Sequence, residues 1–259
     1  MAPKKASTAK RIVTDSLRRG TIAGALALGC GGALACGAAE ARAQIAPRRD
    51  VRFCAGGDVS LGTNLDTAWA LHHVERGRPV RALPDPHALL APVRPLVADA
   101  GLVLLNVEGA IGEGPALRKC AARSTLCYSL RQPPAAATAL RHVNDLAVVV
   151  GNVANNHAHD AGDAGFDVTR QLLAGAGVLV TGADTLATPV PLGEGDTVAV
   201  LGFSPWSVAQ IGDPGAVRRL VAAAAARYGR VIVTMHGGAG GVTARHAPES
   251  TESFARENR

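Results

Sequence analysis

The stretch Leu146-Ala147-Val148-Val149-Val150-Gly151-Asn152-Val153-Ala154-Asn155-Asn156-His157 decides the fold class of this chain. Its first five residues are apolar without polar alternation, as a strand covered on both faces should be. Amides and an imidazole follow as soon as the run ends, with Asp160 and Gly162 just beyond. An apolar strand that stops at chemistry-bearing side chains points to an open α/β sheet, whose sites form outside the carboxyl ends of the strands.

The same pattern recurs on either side of that stretch. The run at 51–55 leads into Gly56-Gly57-Asp58, the run at 102–105 into Asn106-Val107-Glu108-Gly109, and the run at 231–235 into His236-Gly237-Gly238. Two more apolar runs lie at 178–181 and 197–203. Residues 166–176 and 214–228 are predicted helices, the second opening on Pro214 and closing at Gly229. Strands alternating with helices imply an α/β fold with right-handed crossovers. The four polar tips should therefore converge and bring together Asp58, Glu108, Asn156, His157 and His236. Carboxylate and amide oxygens with imidazole nitrogens suit Zn, Mn or Fe. A carboxylate bridging two such ions can serve to polarise a phosphoryl oxygen and activate water.

Each cluster alone has a plainer explanation. Gly-Asp after a strand is often a turn, Asn-Asn-His fits a helix cap, and a single His after a strand is more often structural than catalytic. Four clusters at four strand ends, in order along one chain, favour the site. His72, His73, His87, His142 and His246 lack that placement and are assigned to surface or loops. His159 stays outside the core site, and Asp160 is expected to cap or orient its neighbours.

Composition sets the outer bounds. The chain has 259 residues, 47% hydrophobic and 19% charged, enough for one buried core and too apolar for a disordered chain. Aromatics are only 3%, which argues against a base-stacking surface. Of the formal net charge of +6, residues 1–43 supply most, with seven basic and two acidic side chains. The body is thus nearly neutral, and a nucleic-acid partner is not expected.

Residues 1–43 read as an export signal. Six basic residues precede Gly20, twenty uncharged residues follow, and Ala41-Arg42-Ala43 offers a small-x-small cleavage site before Gln44. Arg18-Arg19 allows a twin-arginine signal, and the uncharged run is long enough to be an uncleaved membrane anchor instead. Lipid modification at Cys30 or Cys36 is a further alternative. A periplasmic or cell-envelope location is expected. Residues 44–50 read as a linker before a single domain over 51–259.

Cysteine use agrees with export. Cys120 and Cys127 lie seven apart in a polar stretch, as a small disulfide-closed loop would place them, worth ~2–3 kcal/mol by constraining the unfolded chain. Neither has a second Cys or His at ligand spacing. Cys54 reads as a small buried hydrophobe. Residues 112–134 as a whole read as an irregular surface loop.

Gly57-Asp58-Val59-Ser60-Leu61-Gly62, Asn106-Val107-Glu108-Gly109, Ala154-Asn155-Asn156-His157 with Asp160, Gly162 and Gly165, residues 178–182, and His236-Gly237-Gly238 together resemble the bacterial capsule-synthesis CapA family, associated with poly-γ-glutamate. The resemblance implies a layered αββα fold of the calcineurin-like metallophosphoesterase kind, incomplete at its carboxyl-terminal end. It also implies Asp58 as a ligand of a first metal, Glu108 as a bridging carboxylate, Asn156 and His236 as ligands of a second, and His157 as general acid, with Asn106, Asn155 and Asp160 in support. Glu108 stands where phosphoesterases usually have aspartate, and the first cluster lacks their Asp-x-His pair. The family continues past a segment like 250–259 into a strand tipped by a Gly-His-x-x-His-like motif. This sequence has no such motif, so a truncated member with weakened metal affinity is expected.

Three functions follow as expectations. One is a part in capsule or poly-γ-glutamate synthesis or export, with the envelope polymer or its synthesis machinery as partner. The second is an exported metal-dependent phosphoesterase unrelated to capsule, acting on a small phosphoester. The third is an inactive family member.

Overall fold

A computed structural model of the chain describes residues 50–63, 85–120, 127–193 and 195–238. The expected signal over 1–43, all of the expected linker except Asp50, and His72, His73 and His246 lie outside the described residues. In chain order the strands are β1 (Phe53–Val59), β2 (Leu102–Val107), β3 (Ala110–Ile111), β4 (Arg131–Gln132), β5 (Val148–Asn152), β6 (Leu179–Thr181), β7 (Thr188–Gly193), β8 (Asp196–Phe203) and β9 (Val231–Met235). The helices are α1 (Pro86–Leu90), α2 (Ala135–Arg141), α3 (Gly162–Gly175) and α4 (Pro214–Tyr228).

Two sheets carry the architecture. The first has the order β1-β2-β5-β6 and is parallel throughout. The second has the order β7-β8-β9, with β7 antiparallel and β9 parallel to β8. A strand points successive side chains to opposite faces, and that period separates two cores. Val103, Leu105 and Val107 of β2 join a cluster with Leu90 of α1, Leu140 of α2 and Leu173 of α3. Leu102 and Leu104 of the same strand turn the other way, onto Val190 of β7 and Val200 of β8. Beyond the second sheet, Ala199, Leu201 and Phe203 of β8 pack with Val217, Leu220 and Ala224 of α4. The layers are therefore helices, sheet, sheet, helix, which is the αββα arrangement the resemblance implies. It also explains why β2 and β5 read as continuous apolar runs: both of their faces are covered.

Local chemistry sets the ends of α4. Asp213 accepts from the Ala216 amide at 2.9 Å, Pro214 takes the first turn, and Gly229 leaves the helix at φ 70°. The helix thus spans the range its sequence predicts.

Several expectations need correction. Among the described residues β1 is the end strand of its sheet and is exposed along most of its length, so its apolar run is not a doubly covered strand there. β7 has no counterpart among the runs read from the sequence; Pro189 and Pro191 sit in the strand that ends the second sheet among the described residues, where proline is tolerated. Residues 112–134 are not wholly a surface loop. Arg131 and Gln132 are buried and pair as β4 with β3. Cys120 and Cys127 do form the expected disulfide, with Cα atoms 5.5 Å apart. Cys54 is free and half-buried against the first core.

Candidate metal centre at the strand tips

Parallel pairing brings the polar residues to one end. Asp58 is in register with Asn106, Asn106 with Asn152, and Asn152 with Thr181, so a polar row crosses the carboxyl end of the first sheet. β1 carries an irregularity between Gly56 and Asp58, with Gly57 as the extra residue, and the bulge re-aims Asp58 at the strand tip. The second sheet adds His236, whose amide bonds the Phe203 carbonyl at 3.0 Å as β9 ends. Two sheets thus present their tips to the same place.

At its centre Asp58, Glu108 and His236 offer ligand atoms that all lie within 4.8 Å of one another. Around them runs a chain of amides with fixed polarity. Asn106 Oδ1 accepts from Asn152 Nδ2 at 3.0 Å and Asn155 Nδ2 at 3.2 Å, which turns Asn106 Nδ2 into the site. That nitrogen donates to Glu108 Oε2 at 2.7 Å and Asp58 Oδ1 at 2.8 Å, and stands 3.2 Å from His236 Nδ1. On the other side of the ring, His236 Nε2 donates to Asn156 Oδ1 at 2.8 Å. In the neutral ring that proton on Nε2 leaves Nδ1 a lone pair, 3.2 Å from Asp58 Oδ1 and 3.7 Å from Glu108 Oε2. In that neutral form three acceptors face an amide with two hydrogens, and the set is short of positive charge.

Electrostatics point the same way. Glu108 is only 7% exposed, and its carboxyl is held above its ordinary value, chiefly by burial. Asp58 raises it further, while the charged forms of His236 and His157 and the bond from Asn106 pull it down. A cation among these groups would relieve both the burial cost and the carboxylate repulsion, and oxygen with imidazole donors suits a divalent transition ion. Asp58, Glu108 and His236 are the residues that would hold it.

His157 lies beside the triad. Its Nδ1 donates to Asp160 Oδ2 at 2.6 Å, leaving Nε2 turned to the site, 3.8 Å from Glu108 Oε1. Asp160, buried to 1% at its side chain, also accepts from the Leu130 amide and pairs with Lys119. It thus bonds the His157 ring, the Leu130 amide and Lys119 together. The backbone of the turn is fixed by Asn155, which accepts from the His157 amide at 3.0 Å and donates to the Val107 carbonyl at 2.9 Å. The asparagines are not helix caps. α3 begins after Ala161, which makes no side-chain cap. His159 stacks on Phe166 and pairs with Asp163, away from the triad, while His87 and His142 face Thr138 and Asp145.

Asp58, Glu108, Asn156, His157 and His236 thus come together, with Asn106, Asn155 and Asp160 supporting them. Sequence reading missed three contributors. Asn152 holds Asn106 and shows its role in the pattern Gly151-Asn152, which places a polar side chain at a strand end. Lys119 reaches Asp160 from the disulfide loop, and Trp206 sets its ring 5.8 Å from that of His236. Nothing local in the sequence marks either.

A family model described as "Bacterial capsule synthesis protein PGA_cap" matches residues 52–258. No curated protein matches the chain.

Proposed function

The chain belongs to this bacterial capsule synthesis family, and from that premise we propose that it is an exported envelope protein acting in the synthesis or export of a poly-γ-glutamate capsule, through a divalent-metal phosphoesterase site at its strand tips. One observation carries the chemical half of the reading: the convergence of Asp58, Glu108 and His236, with His157 Nε2 turned towards them. A bound Mn, Zn or Fe ion would polarise a phosphoryl oxygen and activate water. A second ion, beside which the family resemblance places Asn156, is part of the same proposal; His236, which the resemblance also assigns to it, is proposed here for the first ion, because its Nδ1 stands 3.2 Å from Asp58 Oδ1.

The residues divide the remaining work. Asp58, Glu108 and His236 would hold the ion beside which the phosphoryl group must sit. Asn106 and Asn152 keep the carboxylates aligned. His157, its ring fixed by Asp160, gives a proton at Nε2 to the leaving oxygen. The basic, uncharged and small-x-small segments of residues 1–43 support export, and the envelope polymer or its synthesis machinery is the proposed partner.

Elemental analysis tests the site. One or two transition-metal ions per chain, lost in Asp58→Ala and His236→Ala, are expected. His157→Ala should keep the metal and lower hydrolysis of a chromogenic aryl phosphate by roughly 10²–10⁴-fold. A metal-free parent with a folded circular dichroism spectrum would overturn the metallohydrolase reading. Deleting the gene tests the capsule half. Loss of the envelope polymer is expected, and an unchanged polymer with active enzyme would instead mark a phosphoesterase unrelated to capsule.

A further inference from the structure

The Asp160 carboxylate grips both legs of the disulfide loop. On the leg that enters the loop, Lys119, the residue before Cys120, forms an ion pair with Asp160 Oδ1. On the leg that leaves it, the Leu130 amide donates to Asp160 Oδ2 at 2.6 Å, three residues after Cys127. The Cys120–Cys127 bridge ties the same two legs, and Ser129 Oγ donates to Cys120 Sγ at 3.2 Å across the gap. Carboxylate and disulfide are thus two clips on one neck. The third partner of Asp160 is His157 Nδ1, and Lys119 Nζ also donates to the Asn156 carbonyl at 3.0 Å.

We propose that Lys119 is a positioning residue for His157, acting through Asp160, and that the Cys120–Cys127 disulfide holds it there. Its consequence for turnover rests on the reading of His157 as proton donor; the coupling between disulfide and carboxylate does not. With the bridge intact, the two legs arrive together and the carboxylate meets both donors without further loss of chain freedom. With the bridge open, the Lys119–Asp160–Leu130 contacts must themselves close the loop, and the carboxylate is a looser support for the imidazole. Coupling of this kind is reciprocal, so removing the carboxylate clip must weaken the disulfide by the factor that opening the disulfide weakens the clip.

Reciprocity supplies the test. The full chain is equilibrated with reduced and oxidised glutathione. Two glutathione thiols become one glutathione disulfide as the Cys120–Cys127 bond opens to two thiols, and the fraction open is read by alkylation and mass spectrometry of those peptides. Lys119→Met and Asp160→Asn should each shift the equilibrium towards the dithiol by roughly 5–30-fold. The double variant should go no further than the larger single shift, and Lys119→Arg should stay within about threefold of the parent. An unshifted equilibrium in Lys119→Met overturns the coupling. In the loaded enzyme, Lys119→Met should lower kcat about 10–100-fold with KM and metal content unchanged, and Lys119→Arg should restore it. Parental turnover retained by Lys119→Met overturns the positioning role. A parent without turnover removes the phosphoesterase reading alone, and the glutathione equilibrium then decides the coupling.

Discussion

Glu108 carries the tension at the centre of the site. Burial is the largest influence on its carboxyl and holds it above the ordinary carboxylate value. The folded chain therefore binds that proton more tightly than the unfolded chain does. The stability this contributes is complete below the unfolded value and is lost as pH rises through the raised folded value. A divalent ion reverses the dependence, because it competes with the same proton, so metal affinity should rise with pH over that interval. Glu108→Gln separates the two effects. It keeps an oxygen to accept from Asn106 and removes the buried charge. In the presence of chelator the variant should melt above the parent at neutral pH, by about 2–4 °C for each kcal/mol relieved. It should also lose the rise in melting temperature that Mn²⁺ gives the parent. Calorimetry with chelator and with Mn²⁺ reads both, and a variant melting below the parent in chelator would mean that burial of this charge is not the strained feature. At this scale Asp58, Glu108, His157 and His236 were legible, because each lies in the polar cluster that follows an apolar run. Lys119 was not, since its contact with Asp160 spans 41 residues and nothing in Arg118-Lys119-Cys120 marks it as other than surface.

Strands deliver these side chains, and their glycines show how closely. In β8, Gly202 faces Asn152 across the gap between the sheets. A Cβ there would lie 2.1 Å from Asn152 Oδ1 and 3.0 Å from the Gly182 Cα. Neither neighbour has room to yield, since Asn152 Nδ2 holds Asn106 and Gly182 is backbone at φ 81°. Gly202→Ala should thus cost about 1–3 kcal/mol as overpacking and weaken metal binding as Asn106 loses its support. Gly175, at the end of α3, meets nothing within 4 Å, and Gly175→Ala should be neutral or stabilise by up to about 1 kcal/mol without touching metal affinity. Thermal melts and metal titrations of the pair make the comparison, and equal metal affinity in both variants would sever the link from Gly202 through Asn152 to the site. Within the run at 197–203, Gly202 reads merely as a small residue among apolar ones. Its reason lies on the other sheet, where single-chain periodicity does not reach. β7 escaped notice on similar grounds, because Pro189 and Pro191 are breakers unless the strand has an open edge to sit on.

For the molecule as a whole, the decisive fact is that the site belongs to neither sheet alone. Asp58 and Glu108 follow from β1 and β2 in the first sheet, His236 from β9 in the second, and the distance between Asp58 Oδ1 and His236 Nδ1 is 3.2 Å. What sets that distance is the packing of the two sheets through Leu102, Leu104, Val150, Val190 and Val200. The outer core, where α2 and α3 cover the far face of the first sheet, has no such lever on His236. The strand-tip rule made the convergence legible from the chain, since apolar runs and the polar residues ending them are local patterns. The division into two sheets was not legible locally, because β2 and β8 are apolar on both faces and periodicity does not say which partner covers which. The resemblance to a layered fold supplied that step, and the alternation of Leu102 and Leu104 against Val103 and Leu105 accounts for it physically. Two leucine truncations turn this into a measurement. Leu104→Ala, between the sheets, and Leu140→Ala, on the buried side of α2, should each cost about 2–5 kcal/mol in denaturant unfolding. Leu104→Ala should in addition weaken Mn²⁺ binding several-fold, as the sheets settle into the cavity and His236 moves relative to Asp58. Leu140→Ala should leave the Mn²⁺ affinity at the parental value, because its cavity opens on the side that carries no ligand. If the two variants lose affinity alike, general loosening rather than the spacing of the sheets controls the centre, and the separation of the two cores has no bearing on the metal.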